Sequence, residues 1–407
     1  MIKQGASIRI MLVDDDVFML KLLGRQLTAI GFAEFDAYDS GAKALTALED
    51  SSCGVDLILL DLNMPEMDGL EFLRHLVDRA YAGSIVLISG EDDRLLQSAS
   101  ALVRAHRIGL LGFLHKPATK GMLLALLQKW LPSSNDERRL ERASYDADAV
   151  RAAIDNNELL NYYQPVVNGS DGRVVGVETL VRWRHPVDGI VYPDRFIDVA
   201  EAHGLIDALT RVVMRDALAQ LRSWRDAGLG LQVAINISME NLATIAFADF
   251  CVAKAALAGV QSSDVTFEVT ESRLMTDLRK PLEILTRLRV NRFRLSIDDF
   301  GTGHSSLKQL HDFPFDELKI DRGFVHSAWQ DQTAHAIFDA SFRLARQLHM
   351  KVVAEGVEDR ADWDFVRRAG CDLVQGYFIA RPMPGSDIPA WIAHWESGLG
   401  GLLTGPP

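Results

Sequence analysis

Two groups of polar residues in this chain are spaced so that separate strands would bring them together. In the first, Asp14, Asp15 and Asp16 directly follow an apolar run at 8–13, and Asp61 follows Leu57-Ile-Leu-Leu. Ser89 ends Ile85-Val-Leu-Ile, and Lys116 follows Phe113-Leu-His. If each run is a strand, carboxylates, a hydroxyl and an ammonium meet on one rim. Such a rim can hold Mg²⁺ through oxygen ligands and leave one carboxylate free to attack a phosphoryl group. Singly, these residues read as solvated strand-end acids, with Lys116 pairing one of them; jointly they read as a site.

The second group emerges from strand parity, because successive side chains of a strand face opposite ways. Val233, Ile235 and Ile237 share a face, which leaves Asn236 opposite; Val265, Phe267 and Val269 leave Glu268 opposite. By the same alternation Glu178, Asp298 and Lys319 oppose apolar neighbours, and Glu355 and Gln375 end two further segments. In a barrel the apolar faces would meet the helices while the polar set converges inside. Two carboxylates about 4 Å apart repel by about 4 kcal/mol at an effective dielectric near 20. So many acids therefore require protonation or divalent cations. Carboxylate and amide oxygens suit Mg²⁺ or Mn²⁺. Adjacent Asp298 and Asp299 cannot both point inward along a regular strand, but Gly301 and Gly303 permit a bend there. Asp298 could then bridge two ions while Asp299 holds the second. Two ions about 3.5–4 Å apart would activate water for an in-line displacement at phosphorus.

The elements that must position these residues fall into two regions. Strands at 8–13, 55–60, 85–89 and 112–114 alternate with helices at 17–29, 42–48 and 70–80. That order implies a doubly wound, flavodoxin-like α/β domain over 1–131, with function at the carboxyl ends of its strands. Polar, turn-forming Pro132-Ser-Ser-Asn-Asp-Glu-Arg-Arg opens a linker assigned to 132–147. Eight strand-like segments follow, at 161–167, 173–181, 231–238, 264–270, 292–298, 317–321, 351–357 and 372–379. Alternating with helices over 148–395, they have the length of a TIM-type (β/α) barrel. The Gly- and Pro-rich stretch 396–407 reads as a flexible tail.

Composition narrows the function classes. A net charge of -13 over 407 residues argues against binding DNA through its phosphate backbone. Cys53, Cys251 and Cys371 are odd in number and far apart, which fits a reducing cytoplasm. No signal peptide is visible. The most apolar stretch, 109–131, is interrupted by His115, Lys116, Pro117 and Lys120, which argues against membrane insertion.

Residues 1–130, with Asp61-Leu-Asn-Met-Pro-Glu-Met-Asp-Gly and the Lys116-Pro117 step, resemble response-regulator receiver domains. The resemblance implies Asp61 as phosphoacceptor, Mg²⁺ held by Asp14, Asp15, Asp61 and the Asn63 carbonyl, phosphoryl contacts from Ser89 and Lys116, and Phe113 as the switch aromatic. It also implies a cognate sensor histidine kinase. Residues 150–390 are similar to EAL-type cyclic-di-GMP phosphodiesterases. The matching stretches include Tyr163-Gln-Pro, Glu178-Thr-Leu-Val-Arg-Trp, Ile235-Asn-Ile-Ser and Glu268-Val-Thr-Glu-Ser. They continue through Asp298-Asp-Phe-Gly-Thr-Gly, Leu318-Lys-Ile-Asp, Ala354-Glu-Gly-Val-Glu and Gln375-Gly-Tyr.

By that resemblance Glu178, Asn236, Glu268 and Asp298 would ligate one Mg²⁺ or Mn²⁺, and Asp298 with Asp299 a second. Glu355 would act at the metal-bound water as ligand or base, and Lys319 would orient or deprotonate the attacking water. Gln164, Arg182 and Gln375 would serve the substrate side. Glu271 would brace the loop 299–306, which the family uses to couple metal binding to dimerisation. A homodimer or higher oligomer is expected, and the reaction would open cyclic di-GMP to linear pGpG under phosphorylation control. A catalytically weak cyclic-di-GMP receptor or scaffold is the alternative; no ligand position is lost here, which favours the enzyme. Three positions depart from the pattern: Thr179 for alanine, His304 for tyrosine and Asn241 for glutamine. His185 and His203 read as surface or capping residues.

Overall fold

The apolar runs at 10–13, 57–60 and 85–88 become fully buried strands because helices cover both faces of the sheet. The computed structural model describes residues 8–32, 34–50, 54–79, 81, 83–90, 103, 109–116, 118–130, 145–270, 279–302, 310 and 312–403. The chain divides into two units, Met1–Arg142 and Ala143–Pro407. In the first, strands β1 (Ile10–Val13), β2 (Phe35–Tyr38), β3 (Leu57–Asp61), β4 (Ser84–Ser89) and β5 (Gly109–His115) form a parallel sheet of order β2-β1-β3-β4-β5. Helices Val17–Ile30, Gly41–Asp50, Gly69–Asp78 and Lys120–Trp130 accompany it. Every residue of β1 and β3 is buried. β2 is absent from the sequence reading, for it is a four-residue edge strand whose middle residues are exposed. Of the acidic triplet, Asp16 is absorbed locally: its side chain caps the first helix by accepting from Phe18 N at 2.8 Å.

The second unit is a closed barrel. Its strands are β6 (Leu159–Asn168), β7 (Val174–His185), β8 (Gly189–Val191), β9 (Gln232–Ile237), β10 (Val265–Thr270), β11 (Arg294–Phe300), β12 (Glu317–Ile320), β13 (Lys351–Ala354), β14 (Leu373–Val374) and β15 (Met383–Pro384). Sheet order is β15-β6-β14-β13-β12-β11-β10-β9-β7-β8, and the β6–β7 pairing closes the ring. Helices separate β9 from β10, β10 from β11, β12 from β13 and β13 from β14, but β6 is antiparallel to both β7 and β14. The cause is the connection. A tight turn, with Gly172 at φ 72 donating to the Asn168 carbonyl, joins β6 to β7. So short a link permits only a hairpin. The last expected strand, 372–379, shrinks to Leu373–Val374. The outward faces pack as the parity requires, with Val233, Ile235, Phe267, Leu295, Ile297 and Leu318 all fully buried.

The expected flexible tail needs correction. A helix runs over Ile388–Leu403 despite its glycines. Leu399 is 9% exposed, Trp395 Nε1 donates to the Gly172 carbonyl at 2.9 Å, and the Trp391 and Trp395 rings stack. A side chain on Gly172 would collide with Leu399 Cδ2 at 2.7 Å, so the hairpin turn is shaped to receive this helix. Leu399→Ala should cost about 2 kcal/mol of barrel stability, read as a lower urea midpoint; an unchanged midpoint would show the segment to be idle.

Candidate active site

At the centre of the barrel mouth stands Lys319, the third residue of β12 and 2% exposed. Its Nζ lies 2.7 Å from Glu355 Oε1, 2.9 Å from Glu268 Oε1, 3.1 Å from Asp298 Oδ1 and 3.8 Å from Glu178 Oε2. Burial alone would pull the ammonium down, but Asp298, Glu178, Glu268 and Glu355 together hold it well above the ordinary lysine range. One positive charge does not balance the group. Burial pushes Glu268 well above the usual carboxylate range against the pull of Lys319, and Glu178, Asp298 and Glu355 add to the rise. Burial likewise lifts Glu355 to about 8 in spite of Lys319. Asp299, raised by burial and then by Asp298, stands at about 6.

Amides complete the cluster. Asn236 Nδ2 donates to Glu178 Oε1 at 2.9 Å, and Gln375 Nε2 donates to Glu178 Oε2 at 2.6 Å and to Gln164 Oε1 at 3.1 Å. Gln164 Nε2 in turn donates to the Ala380 carbonyl at 3.0 Å. Gln164 and Gln375 are thus buried, internally bonded groups that fix the Glu178 carboxylate. Arg182 shares the face of Glu178 four residues along β7, and its guanidinium carbon lies over the Tyr162 ring at 5.5 Å and over the Tyr192 ring at 4.8 Å. Burial pushes its pKa down. The tyrosines went unnoticed in the sequence. Tyr162 could have been found from its parity with Gln164, whereas Tyr192 lies beyond β8 and gives no such signal.

The expected bend at Asp298–Asp299 is made by the aspartate itself. Asp299 adopts φ 55, and the β11–β12 register shifts between Ile297 and Phe300. Gly301 follows at φ 100. The break turns both side chains to one side, so that Asp298, Asp299 and Glu355 each offer an oxygen within 4.8 Å of the others. Glu271, His304 and Gly303 lie outside the described residues. Asn241 is 1% exposed and braces the turn after β9: its Oδ1 accepts from Ser238 N at 2.9 Å and Thr210 Oγ1 at 3.2 Å.

A divalent cation fits this donor set. Hard oxygen ligands predominate, Glu268 Oε2 is buried without a hydrogen-bond partner among the described residues, and raised carboxyl pKa values mark an excess of negative charge that a cation would relieve.

In the first unit, Lys116 Nζ lies 2.9 Å from both Asp14 Oδ2 and Asp61 Oδ2. Burial would depress its pKa, yet the two aspartates raise it. Asp61 is 2% exposed; burial raises its carboxyl against the Lys116 hydrogen bond. Asp14, Asp15 and Asp61 have oxygens within 4.8 Å of one another, and Asp61 Oδ1 is buried without a partner among the described residues. Here too a hard cation fits. Ser89 is buried at the end of β4, Asn63 is exposed two residues past Asp61, and Phe113 is 43% exposed on β5.

Residues 147–382 match the family model of the EAL domain, and residues 10–128 that of the response regulator receiver domain. The chain belongs to the EAL domain family. Its EAL domain is preceded by a receiver domain. It is 36% identical over 348 residues to the cyclic di-GMP phosphodiesterase RocR of Pseudomonas aeruginosa, covering 84% of this chain and 88% of that protein. It is 43% identical over 238 residues to the cyclic di-GMP phosphodiesterase NbdA of the same organism, covering 58% of this chain but only 30% of that one. Among solved structures, a PaMucR phosphodiesterase in complex with c-di-GMP superposes with a TM-score of 0.57 at 39% identity, covering 59% of this chain and 98% of that one. No helix among the described residues is long and apolar enough to cross a membrane.

The raised carboxyls give the EAL domain a defined pH response. Each holds more protons folded than unfolded between its ordinary and shifted pKa, so its contribution is lost as pH rises through that interval. The interval runs from 3.8 to about 6 for Asp299 and from 4.5 to about 8 for Glu355. In chelator, the urea midpoint of the wild type should fall relative to Glu355→Gln between pH of about 5 and about 8, and saturating Mn²⁺ should remove the difference. A gap that stays constant with pH would refute the charge assignment.

Proposed function

We propose that the protein is a receiver-controlled phosphodiesterase that hydrolyses cyclic di-GMP to linear pGpG. The observation that carries the reading is the convergence of Glu178, Glu268, Asp298 and Glu355 on one buried ammonium. The phosphodiesterases named among its relatives support the substrate. Glu178, Asn236, Glu268 and Asp298 would hold one divalent ion, and Asp298 with Asp299 a second, Mg²⁺ or Mn²⁺. Such ions lower the pKa of water and neutralise charge on the reacting phosphate.

The chain's own residues do the rest. Lys319 orients the attacking water, and Glu355 takes its proton. The water oxygen bonds to phosphorus, the P–O3′ bond breaks, the released 3′ oxygen takes a proton from solvent to leave pGpG, and Glu355 returns its own proton to solvent. Glu355 and Asp298 are the more accessible members of the cluster, at 16% and 13% side-chain exposure, whereas Glu268 and Lys319 lie deepest at 4% and 3%. Water therefore has access on the side where the proton must leave. Arg182, over the rings of its two tyrosines, offers a guanidinium to the substrate phosphate; Gln164 and Gln375 keep the Glu178 carboxylate turned toward the site. In the receiver domain, Asp61 would accept a phosphoryl group from a cognate sensor histidine kinase. Mg²⁺ would be held by Asp14, Asp15 and the Asn63 carbonyl, with Ser89 and Lys116 contacting the phosphoryl oxygens. Modification would shift a pre-existing equilibrium of the whole protein, homodimeric or larger.

Purified protein should release pGpG from cyclic di-GMP with Mg²⁺ or Mn²⁺, and Glu178→Ala should lose about a hundredfold or more of that turnover while retaining some nucleotide binding. If wild type and variant bind equally and neither turns over, the chain is a receptor. A small phosphodonor should change the turnover of the wild type but not that of Asp61→Ala; an equal response from both would remove control from this residue.

A further inference from the structure

A second polar cluster lies beside the loop that carries Glu355, and the reaction as proposed makes no use of it. Asp362 sits in the first turn of helix Arg360–Ala369 and is fully buried. Its Oδ1 accepts from Ser327 N at 2.9 Å; its Oδ2 accepts from Glu358 N at 3.1 Å and lies 2.8 Å from His326 Nδ1. With both oxygens already accepting backbone N–H groups, the ring nitrogen is the donor in the third bond. A buried carboxyl with this many partners is not serving its own helix, whose cap is Asp359, accepting from Asp362 N at 2.9 Å.

The partners of Asp362 belong to two connections that leave neighbouring strands. Glu358 closes the segment after β13, which begins with Glu355; His326 and Ser327 follow the short helix Arg322–Val325 after β12, the strand of Lys319. Arg322 ties the same two segments a second time through Glu358 Oε1 at 2.6 Å. Gly356 makes the approach possible: it takes φ 66, and a Cβ there would meet Arg322 Cγ at 2.3 Å. Ser327, without glycine's freedom, is held at φ 62. The backbone of the Glu355 loop is thus clamped to the Lys319 side of the barrel mouth from behind.

We infer that Asp362, with His326 as its outer partner, is a positioning residue for Glu355: it fixes the Glu355–Glu358 backbone so that the Glu355 carboxylate stays against Lys319. The inference rests on the phosphodiesterase reading for its kinetic consequence, and on cation binding for a consequence independent of turnover. Asp362→Asn keeps the volume but replaces one acceptor by an amide donor facing N–H groups.

In the full-length protein it should lower kcat about 10- to 100-fold with KM changed less than about twofold. It should also weaken Mn²⁺ binding, titrated calorimetrically with the metal alone, by about tenfold. His326→Ala, at a residue with a 36% exposed side chain, should act in the same direction by about three- to tenfold. His326→Gln, whose amide can still donate, should recover most of that loss. His326→Ala also serves if Asp362→Asn does not fold. A lower melting temperature with unchanged kcat and unchanged Mn²⁺ affinity would overturn the inference and leave Asp362 a stabilising brace alone. Absence of pGpG release from the wild type would fail the phosphodiesterase reading instead, and the Mn²⁺ titration would still decide the positioning role.

Discussion

The arrangement of the barrel mouth follows from one electrostatic constraint: a lysine ammonium removed from water can be tolerated only inside a cage of carboxylates. Taking an isolated ammonium out of water is costly, and that cost is offset only by close, well-placed anions. Lys319 obtains these from β7, β10, β11 and the end of β13 at once. No single strand could supply them, so the cage exists only when the ring of strands is closed and in register. The converse also holds. The acids outnumber the lysine, and the surplus appears as the raised pKa values of Glu268, Glu355 and Asp299. The pocket is therefore poised to take up further positive charge, a property of the fold before any ligand is considered.

The receiver domain uses the same device at smaller scale. Lys116 reaches two buried aspartates from the end of β5, and one Asp61 oxygen has no hydrogen-bond partner among the described residues. In both units the groups come from neighbouring parallel strands, mostly late along them, so that side chains distant in sequence meet.

Much of the barrel site was legible because alternation is a local property. Residues buried on one face of a strand assign the opposite face to the interior, and that alone singled out Asn236, Glu268, Asp298 and Lys319. What alternation could not reveal depends on chain direction and on the environment of single residues. The hairpin of β6 and β7 reads as two ordinary strands because reversal leaves no mark on the apolar pattern. β2 escaped notice because an edge strand with exposed middle residues has no buried face to display. The end of the C-terminal helix reads as a tail because 396–407 holds four glycines and two prolines against three leucines, whereas the contact of Leu399 with Gly172 is tertiary. Asp299 was expected to rely on neighbouring glycines for its bend, yet it adopts the left-handed conformation itself. Tyr192 beside Arg182 and the clamp around Asp362 come from connections between strands, which no local pattern encodes.

The reversed first strand bears on how the barrel can form during synthesis. Parallel strands meet only after a long connection has been ordered, and the entropy of closing it must be paid before any pairing is gained. β6 and β7, joined by a tight turn, escape that delay and can zip together as soon as both have left the ribosome. Their register pairs Gln164 with Glu178 and sets Arg182 on the same strand. A folding nucleus of low contact order would thus carry one wall of the pocket, and the later strands would add their acids to a template already in register.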